Sequence, residues 1–204
     1  VHIAVEQFVA KVLPLEEING KFIVEAGAFD VNGSVREMIE SANPAHYMAT
    51  DMREGPGVDV ACMAENLPGM FGYDFADIVL CLEMLEHAEY WKAALAGMLR
   101  VLRTGGSLVL TTRSPGFPLH DYPGDYWRFT VPVMADIMAS AGLEPQALEY
   151  DPSSPGVFVK AFKPAGWEWH GIPWKWHSAK VEAAPGDYMR EQMYSLLTGA
   201  GIVA

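Results

Sequence analysis

Short apolar runs alternate along this chain with segments of helical period, the pattern of a parallel sheet covered by helices. Val5, Phe8, Val9, Val12 and Leu13 fall on one stripe of a helix that Pro14 ends. Phe22, Ile23 and Val24 form the first strand, closed by Glu25. The pattern then predicts a helix at 34–41 and strands at 46–51 (HYMATD), 58–63 (VDVACM) and 76–82 (ADIVLCL). Trp91, Ala94, Leu95, Met98, Leu99 and Leu102 keep the 3.6 period, and Gly105 with Gly106 is expected to stop that helix before a fifth strand, SLVLTT. Thr130 reads as an N-cap, with Pro132 in the first turn of its helix. PQALEYD and GVFVKAFKP flank the turn-prone PSSPG and are expected as an antiparallel pair closing the sheet.

In open sheets of this kind, ligands bind beyond the carboxyl ends of the strands, where the strand order reverses. The residues that end each run, Glu25, Gly27, Asp51, Ala64, Glu65, Cys81 and Glu83, are therefore the candidates for chemistry. The stretch Lys21–Arg36 couples a buried strand to a glycine-bearing turn and a helix start, with Gly27 and Gly33 allowing the backbone to bend and approach a ligand. The carboxylate of Glu25 argues against a phosphate at that turn. Asp51 ends the second strand at an offset where a carboxylate accepts hydrogen bonds from ribose hydroxyls. The plainer alternative, for Asp51 and Glu25 alike, is an ordinary polar residue at a strand end.

With 204 residues, half of them hydrophobic, the chain can bury one sizeable core. A formal net charge of -12 repels polyanions and attracts cations, which excludes non-specific nucleic-acid binding and favours a cationic cofactor or an amine. Cys62 and Cys81 lie in apolar runs and read as two buried thiols of a reducing compartment, the cytoplasm by default. No apolar stretch is long enough to span a bilayer, and the segment after Val1 is unlike a secretion signal. No metal is expected: Glu83 and Glu86 read as helix-end or solvated carboxylates, and His87 as a group that packs and hydrogen-bonds at a helix start.

The tail carries a separate feature. GWEWHGIPWKWH repeats Trp-x-Trp-His after seven residues and brings Trp167, Trp169, Trp174 and Trp176 together. Such an aromatic cluster can pack on its own domain, cap an acceptor pocket, bind a cation, or form a homodimer contact. His170 and His177 alone make a poor metal site.

The segments IVEAGAFDVNGSVR, YMATD, MAENLP, DIVLCLEMLEH and LRTGGSLVLTT, in that order, resemble the successive motifs of the class I S-adenosylmethionine-dependent methyltransferases. The resemblance covers residues 20–163, and HDYPGDYWRFT from His120 to Thr130 is similar to a segment after the fifth strand in one branch of that family. It implies an α/β, Rossmann-like, seven-stranded sheet, mostly parallel with an antiparallel last strand and helices on both faces. On this reading residues 1–164 form the cofactor-binding domain and 165–204 an aromatic-rich extension. The resemblance further implies that S-adenosylmethionine is the cofactor. Glu25, Ala26 and Gly27 would line its methionine part, Asp51 would hold the ribose, Met52 would flank the adenine, and Ala64 and Glu65 would form the adenine edge. Cys81 and Leu82 would wall the methionine. Phe29 stands where the family has a second glycine, and Met63 where it has an acidic residue at the adenine edge. Phe29 is thus expected either to narrow the pocket or to turn outward, and Met63 cannot accept a hydrogen bond from the adenine amino group.

Methyl transfer is an in-line attack on a sulfonium methyl, which asks the protein mainly to align two reactants and, where needed, to remove a proton. His120, in the loop after the fifth strand, is the candidate general base, since imidazole titrates near neutrality. The competing reading makes His120, Asp121, Tyr122, Tyr126 and Arg128 a stapled structural lid, with Arg128 pairing an acid. The expected activity is methyl transfer to a small-molecule acceptor, with a lean toward an amine-bearing metabolite; the alternative is a non-catalytic interaction module on the same fold. A nicotinamide-dependent reductase is disfavoured, because neither G-x-G-x-x-G nor a Tyr-x-x-x-Lys pair occurs.

Overall fold

The computed structural model describes residues 1–120 and 124–172, and the backbone of 179–180. In chain order the elements are α1 (Ile3–Val12), α2 (Leu15–Ile18), β1 (Phe22–Ala26), α3 (Arg36–Ser41), β2 (His46–Asp51), β3 (Val60–Ala61), α4 (Leu67–Phe71), β4 (Ala76–Leu82) and α5 (Trp91–Val101). They continue with β5 (Leu102–Arg113), β6 (Trp127–Arg128), α6 (Val131–Ser140), β7 (Glu144–Tyr150), β8 (Gly156–Phe162) and β9 (Ala179–Lys180). Seven strands form one sheet in the order β3-β2-β1-β4-β5-β8-β7, while β6 and β9 pair separately. The neighbours from β3 to β5 run parallel, and β8 is antiparallel to both β5 and β7. This is the expected Rossmann-like sheet with one reversed strand.

Every residue of β4 is buried, as a central strand covered on both faces requires. Successive side chains serve opposite cores. Val79 and Cys81 join Leu67, Leu95 and Ile137 under α4, α5 and α6. Ile78, Leu80 and Leu82 join Val5, Phe8 and Ile39 under α1 and α3. The buried cation on β8 is satisfied: Lys160 Nζ donates to the Val12 carbonyl at 2.7 Å and to Glu17 at 2.6 Å. Thr130 caps α6 as expected, its hydroxyl accepting from the Val133 amide at 3.4 Å.

Two boundaries differ from the sequence expectation. The third strand is only Val60–Ala61, because the Asp59 carboxylate takes the Ala49 amide at 2.9 Å and the ladder continues only through Thr50↔Val60 and Asp51↔Ala61. At the other side Gly105 and Gly106 do not precede the fifth strand but lie within β5, which begins directly at Leu102. Gly106 is needed there, since a Cβ would sit 2.6 Å from the Asp77 carbonyl oxygen. Among the described residues no helix is long and apolar enough to cross a membrane.

Trp167 closes onto the domain itself. Its indole donates to the Ala141 carbonyl at 2.7 Å, the Lys163 ammonium lies 4.1 Å from its ring centre, and Trp169 and Ile172 pack beside it on the same core. Trp174, Trp176 and His177 lie outside the described residues, as do Asp121 and Tyr122.

Candidate active site

The chain leaves β1 toward β2 on one side and reaches β4 on the other, so the strand order reverses between β1 and β4. A cleft of about 410 Å³ opens over the carboxyl ends of β1, β2 and β4 at this point. Its floor begins with Glu25, only 3 % exposed, whose carboxylate accepts a hydrogen bond from the Tyr47 hydroxyl. Burial pushes the Glu25 carboxyl up to about 7, against the opposing attraction of Arg36. Gly27 follows at φ +80, its amide donating to the Thr50 carbonyl at 2.8 Å. A side chain at Gly27 would collide with Met84, which rises from the end of β4 to support the turn.

Asp51 lies on the cleft wall at the end of β2. Its two oxygens accept from the amides of Phe29 and Arg53, each at 3.4 Å, and partial burial raises its pKa. The ring of Phe29 is folded against Gly55, with the Arg53 guanidinium 4.4 Å from its centre. Phe29 is therefore packed on the 53–57 loop while Asp51 keeps its place on the wall. Met52 and Met63 stand exposed at the outer end, beside the 3₁₀ turn Ala64–Asn66 that carries Ala64 and Glu65 into the lining.

Leu82 lines the cleft, whereas Ala26 and Cys81 are placed elsewhere. Strand alternation turns both toward the core beneath α4–α6, where Cys81 is fully buried and desolvation raises its thiol well above the ordinary value. Their contribution is to the packing that sets the height of the strand ends.

The opposite wall comes from the β4–α5 and β5–β6 connections. Glu83 and Glu86 are not solvated carboxylates: Glu83 is largely buried and Glu86 completely so. Glu83 adopts φ +59, a conformation costly for a side-chain-bearing residue, and pairs with Arg113, which also reaches Asp151 at 3.4 Å. Burial raises the pKa of both carboxylates. Sequence reasoning singled out Glu83 as a strand-end residue without giving it a place in the site, named Tyr126 only as a member of the His120 loop, and missed Met84 and Arg113 as cleft residues.

His87 ends a 3₁₀ turn, Leu85–His87, and its Nδ1 meets the Gly124 carbonyl at 2.5 Å. Burial lowers its pKa. His120 faces it with ring centres 4.7 Å apart. Asp125 Oδ2 accepts from the His120 amide at 3.0 Å and lies 2.9 Å from His120 Nδ1, and the same carboxylate is clasped by the fully buried Arg128. Arg128 does pair an acid, and that acid fixes His120. The Arg128–Asp125 pair and the held imidazole are thus one arrangement, and a partner on Nδ1 leaves Nε2 as the ring nitrogen available for chemistry.

Residues 29–110 match the family model described as a methyltransferase domain. That match is consistent with the class I S-adenosylmethionine-dependent methyltransferases that the sequence motifs resemble. Solved structures agree in fold. The 1,6-didemethyltoxoflavin-N1-methyltransferase of Burkholderia thailandensis, with bound 1,6-didemethyltoxoflavin and S-adenosylhomocysteine, has a TM-score of 0.64 at 19 % identity and covers 79 % of each chain. The magnesium protoporphyrin IX methyltransferase of Synechocystis, solved with bound S-adenosylmethionine, has a TM-score of 0.58 at 15 % identity and covers 78 % of this chain and 79 % of its own. The cyclase SpnF has a TM-score of 0.61 at 16 % identity over 79 % of this chain and 80 % of its own. A search of curated proteins finds no match. The cleft occupies the switch point where a sheet of this kind places a nucleotide-like ligand.

Proposed function

We propose that this methyltransferase domain transfers the methyl group of S-adenosylmethionine to a small-molecule acceptor, with a lean toward an amine-bearing metabolite. The observation that carries the reading is one cleft bounded by Glu25 and Asp51 at neighbouring strand ends and by the Asp125-oriented imidazole of His120 on the facing wall. Asp51 suits an unphosphorylated ribose, and Glu25 with Gly27 suits the cationic methionine end, where the charged sulfonium and ammonium offset the cost of a buried carboxylate. Met52, Ala64 and Glu65 are assigned to the adenine end and Leu82 to the methionine wall. Ala26 and Cys81 support these positions from the core.

His120 is assigned as general base. Its Nε2 takes the acceptor's proton while Asp125, held by Arg128, stabilises the imidazolium that forms. The Burkholderia enzyme is named for 1,6-didemethyltoxoflavin and the Synechocystis enzyme for magnesium protoporphyrin IX, which supports a small-molecule acceptor here. The net charge of -12 supports an amine over a polyanion, and the two free thiols support a cytoplasmic setting. Trp167 and Trp169 pack on the domain, and a homodimer contact through the rest of the extension is kept as a proposal.

A screen of metabolites for release of S-adenosylhomocysteine tests the reading. A methylated product is expected with at least one amine-bearing small molecule, and His120→Ala should lower its turnover about 10²- to 10⁴-fold with donor affinity unchanged. Turnover of His120→Ala within a factor of two of the parent would remove His120 from the reaction.

A further inference from the structure

Three side chains, two from the 3₁₀ turn Leu85–His87 and one from the connection after β5, bring metal-ligating atoms together on the wall facing the donor cleft. Glu86 Oε1 lies 4.0 Å from His87 Nε2 and 4.0 Å from His120 Nε2, and the ligand atoms of the three residues all lie within 4.8 Å of one another. Among the described residues this is the group of His, Cys, Asp and Glu side chains close enough to hold an ion.

Each of the three is positioned through its other polar atom. His87 Nδ1 is engaged by the Gly124 carbonyl at 2.5 Å, His120 Nδ1 by the Asp125 carboxylate at 2.9 Å, and Glu86 Oε2 accepts from the Thr112 hydroxyl at 2.8 Å. Carbonyl and carboxylate partners on Nδ1 fix the tautomer and turn both Nε2 lone pairs inward, the arrangement that holds histidines at metal centres. The second observation is Glu86 Oε1 itself. Glu86 is completely buried, and Oε1 has no hydrogen-bond partner, although an unpaired polar atom in such a place is costly. Both imidazole Nε2 atoms lie 4.0 Å from it.

We propose that Glu86, His87 and His120 bind a divalent transition-metal ion of the zinc class. Two neutral imidazoles and one carboxylate are the donor set that suits zinc or cobalt, whereas magnesium and calcium take oxygen ligands. Drawing each ligand atom inward by a few tenths of an ångström reaches the bond lengths of about 2.0–2.1 Å that zinc requires. Three protein ligands leave a fourth position open. Because His87 and His120 line the cleft, that position faces the acceptor side.

The site stands on its own geometry, and only its consequence rests on the proposed function. A bound ion occupies the Nε2 of His120, so that imidazole no longer accepts a proton. The open position then receives an oxygen or nitrogen of the acceptor directly. Metal-loaded and metal-free protein are therefore two distinct states of the acceptor side, with the donor side of the cleft unaltered.

The test is calorimetric titration of the chelator-treated full chain with zinc chloride, together with the visible spectrum on adding cobalt(II). One equivalent should bind with a Kd in the micromolar range or tighter, and cobalt should give ligand-field bands of a low-coordinate nitrogen and oxygen site. Glu86→Gln and His87→Asn should each weaken binding about 100-fold or more, and Thr112→Val, which removes only the partner of Oε2, about 10- to 100-fold. Circular dichroism checks that each variant is folded, and Thr112→Val keeps all three ligands should Glu86→Gln fail to fold. S-adenosylhomocysteine titrated into the same samples separates the two readings: unchanged nucleoside binding without metal binding overturns the metal site alone, and the converse overturns the donor cleft alone. Absence of saturable binding at 100 µM zinc, or zinc affinity in Glu86→Gln and His87→Asn equal to that of the parent, would overturn the assignment.

Discussion

Replacing Glu25 by glutamine separates the energetic cost of this carboxylate from its use. In the native chain burial moves its pKa from 4.5 to about 7. The folded state therefore binds this proton more tightly than the unfolded chain, and the stability contributed by the protonated form is present below pH 4.5 and lost as pH rises through 7. At about 1.4 kcal/mol for each tenfold change in proton affinity, the full loss is about 3 kcal/mol. Most of it falls between pH 5 and pH 8.5. Glutamine is nearly the same shape, can accept from the Tyr47 hydroxyl, and does not titrate. The stability difference between Glu25→Gln and the parent should therefore change by about 2 to 3 kcal/mol in favour of the variant from pH 5 to pH 8.5, whatever constant offset the amide adds. Urea denaturation at four pH values measures it, and with a slope near 2 kcal/mol per molar the midpoints should separate by about 1 M over that range. Donor affinity should move the opposite way, because the variant lacks the charge that meets the methionine ammonium. A difference independent of pH would refute the reasoning, as would a variant that loses stability relative to the parent at alkaline pH.

Asp51→Ala should weaken S-adenosylhomocysteine binding by about 1 to 3 kcal/mol through lost ribose contacts, read by titration calorimetry; unchanged affinity would remove Asp51 from the site. Gly27→Ala forces a side chain into φ +80 and onto Met84, so it should lower stability by at least about 2 kcal/mol and displace the turn, seen as an earlier urea midpoint. Asp125→Asn leaves the buried Arg128 guanidinium without its carboxylate and should cost about 3 to 5 kcal/mol in chemical denaturation. A loss below 1 kcal/mol would show that the lid is not held by that pair.

The sheet was legible because its strands are pure cases. Apart from Asp77, ADIVLCL is apolar, as a strand covered on two faces must be, and the predicted span of 76–82 coincides with β4. β3 was drawn too long because an edge strand can exchange a backbone partner for a side chain, and nothing in VDVACM announces that Asp59 does so. The donor side of the cleft was readable from strand ends alone, since topology brings Glu25, Gly27 and Asp51 to one edge. Alternation along a strand also decides which face a residue serves, and it places Cys81 in the core although Leu82, one position later, lines the cleft. The facing wall was the hard part. His87 and His120 are 33 positions apart and meet because β5 and the β5–β6 loop return the chain beside the 3₁₀ turn at Leu85–His87. Glu86 looked like a surface carboxylate because its cover comes from elsewhere in the chain: Thr112 of β5 donates to its carboxylate and the Tyr126 amide to its carbonyl.

The cleft at the reversal of strand order is the centre of this account, and donor binding tests it most directly. Titration of the full chain with S-adenosylmethionine at pH 7.5, with NADH as the control dinucleotide, should give a saturable one-to-one isotherm for the sulfonium donor and none for NADH. Absence of heat with S-adenosylmethionine at millimolar concentration, or equal binding of NADH, would contradict it.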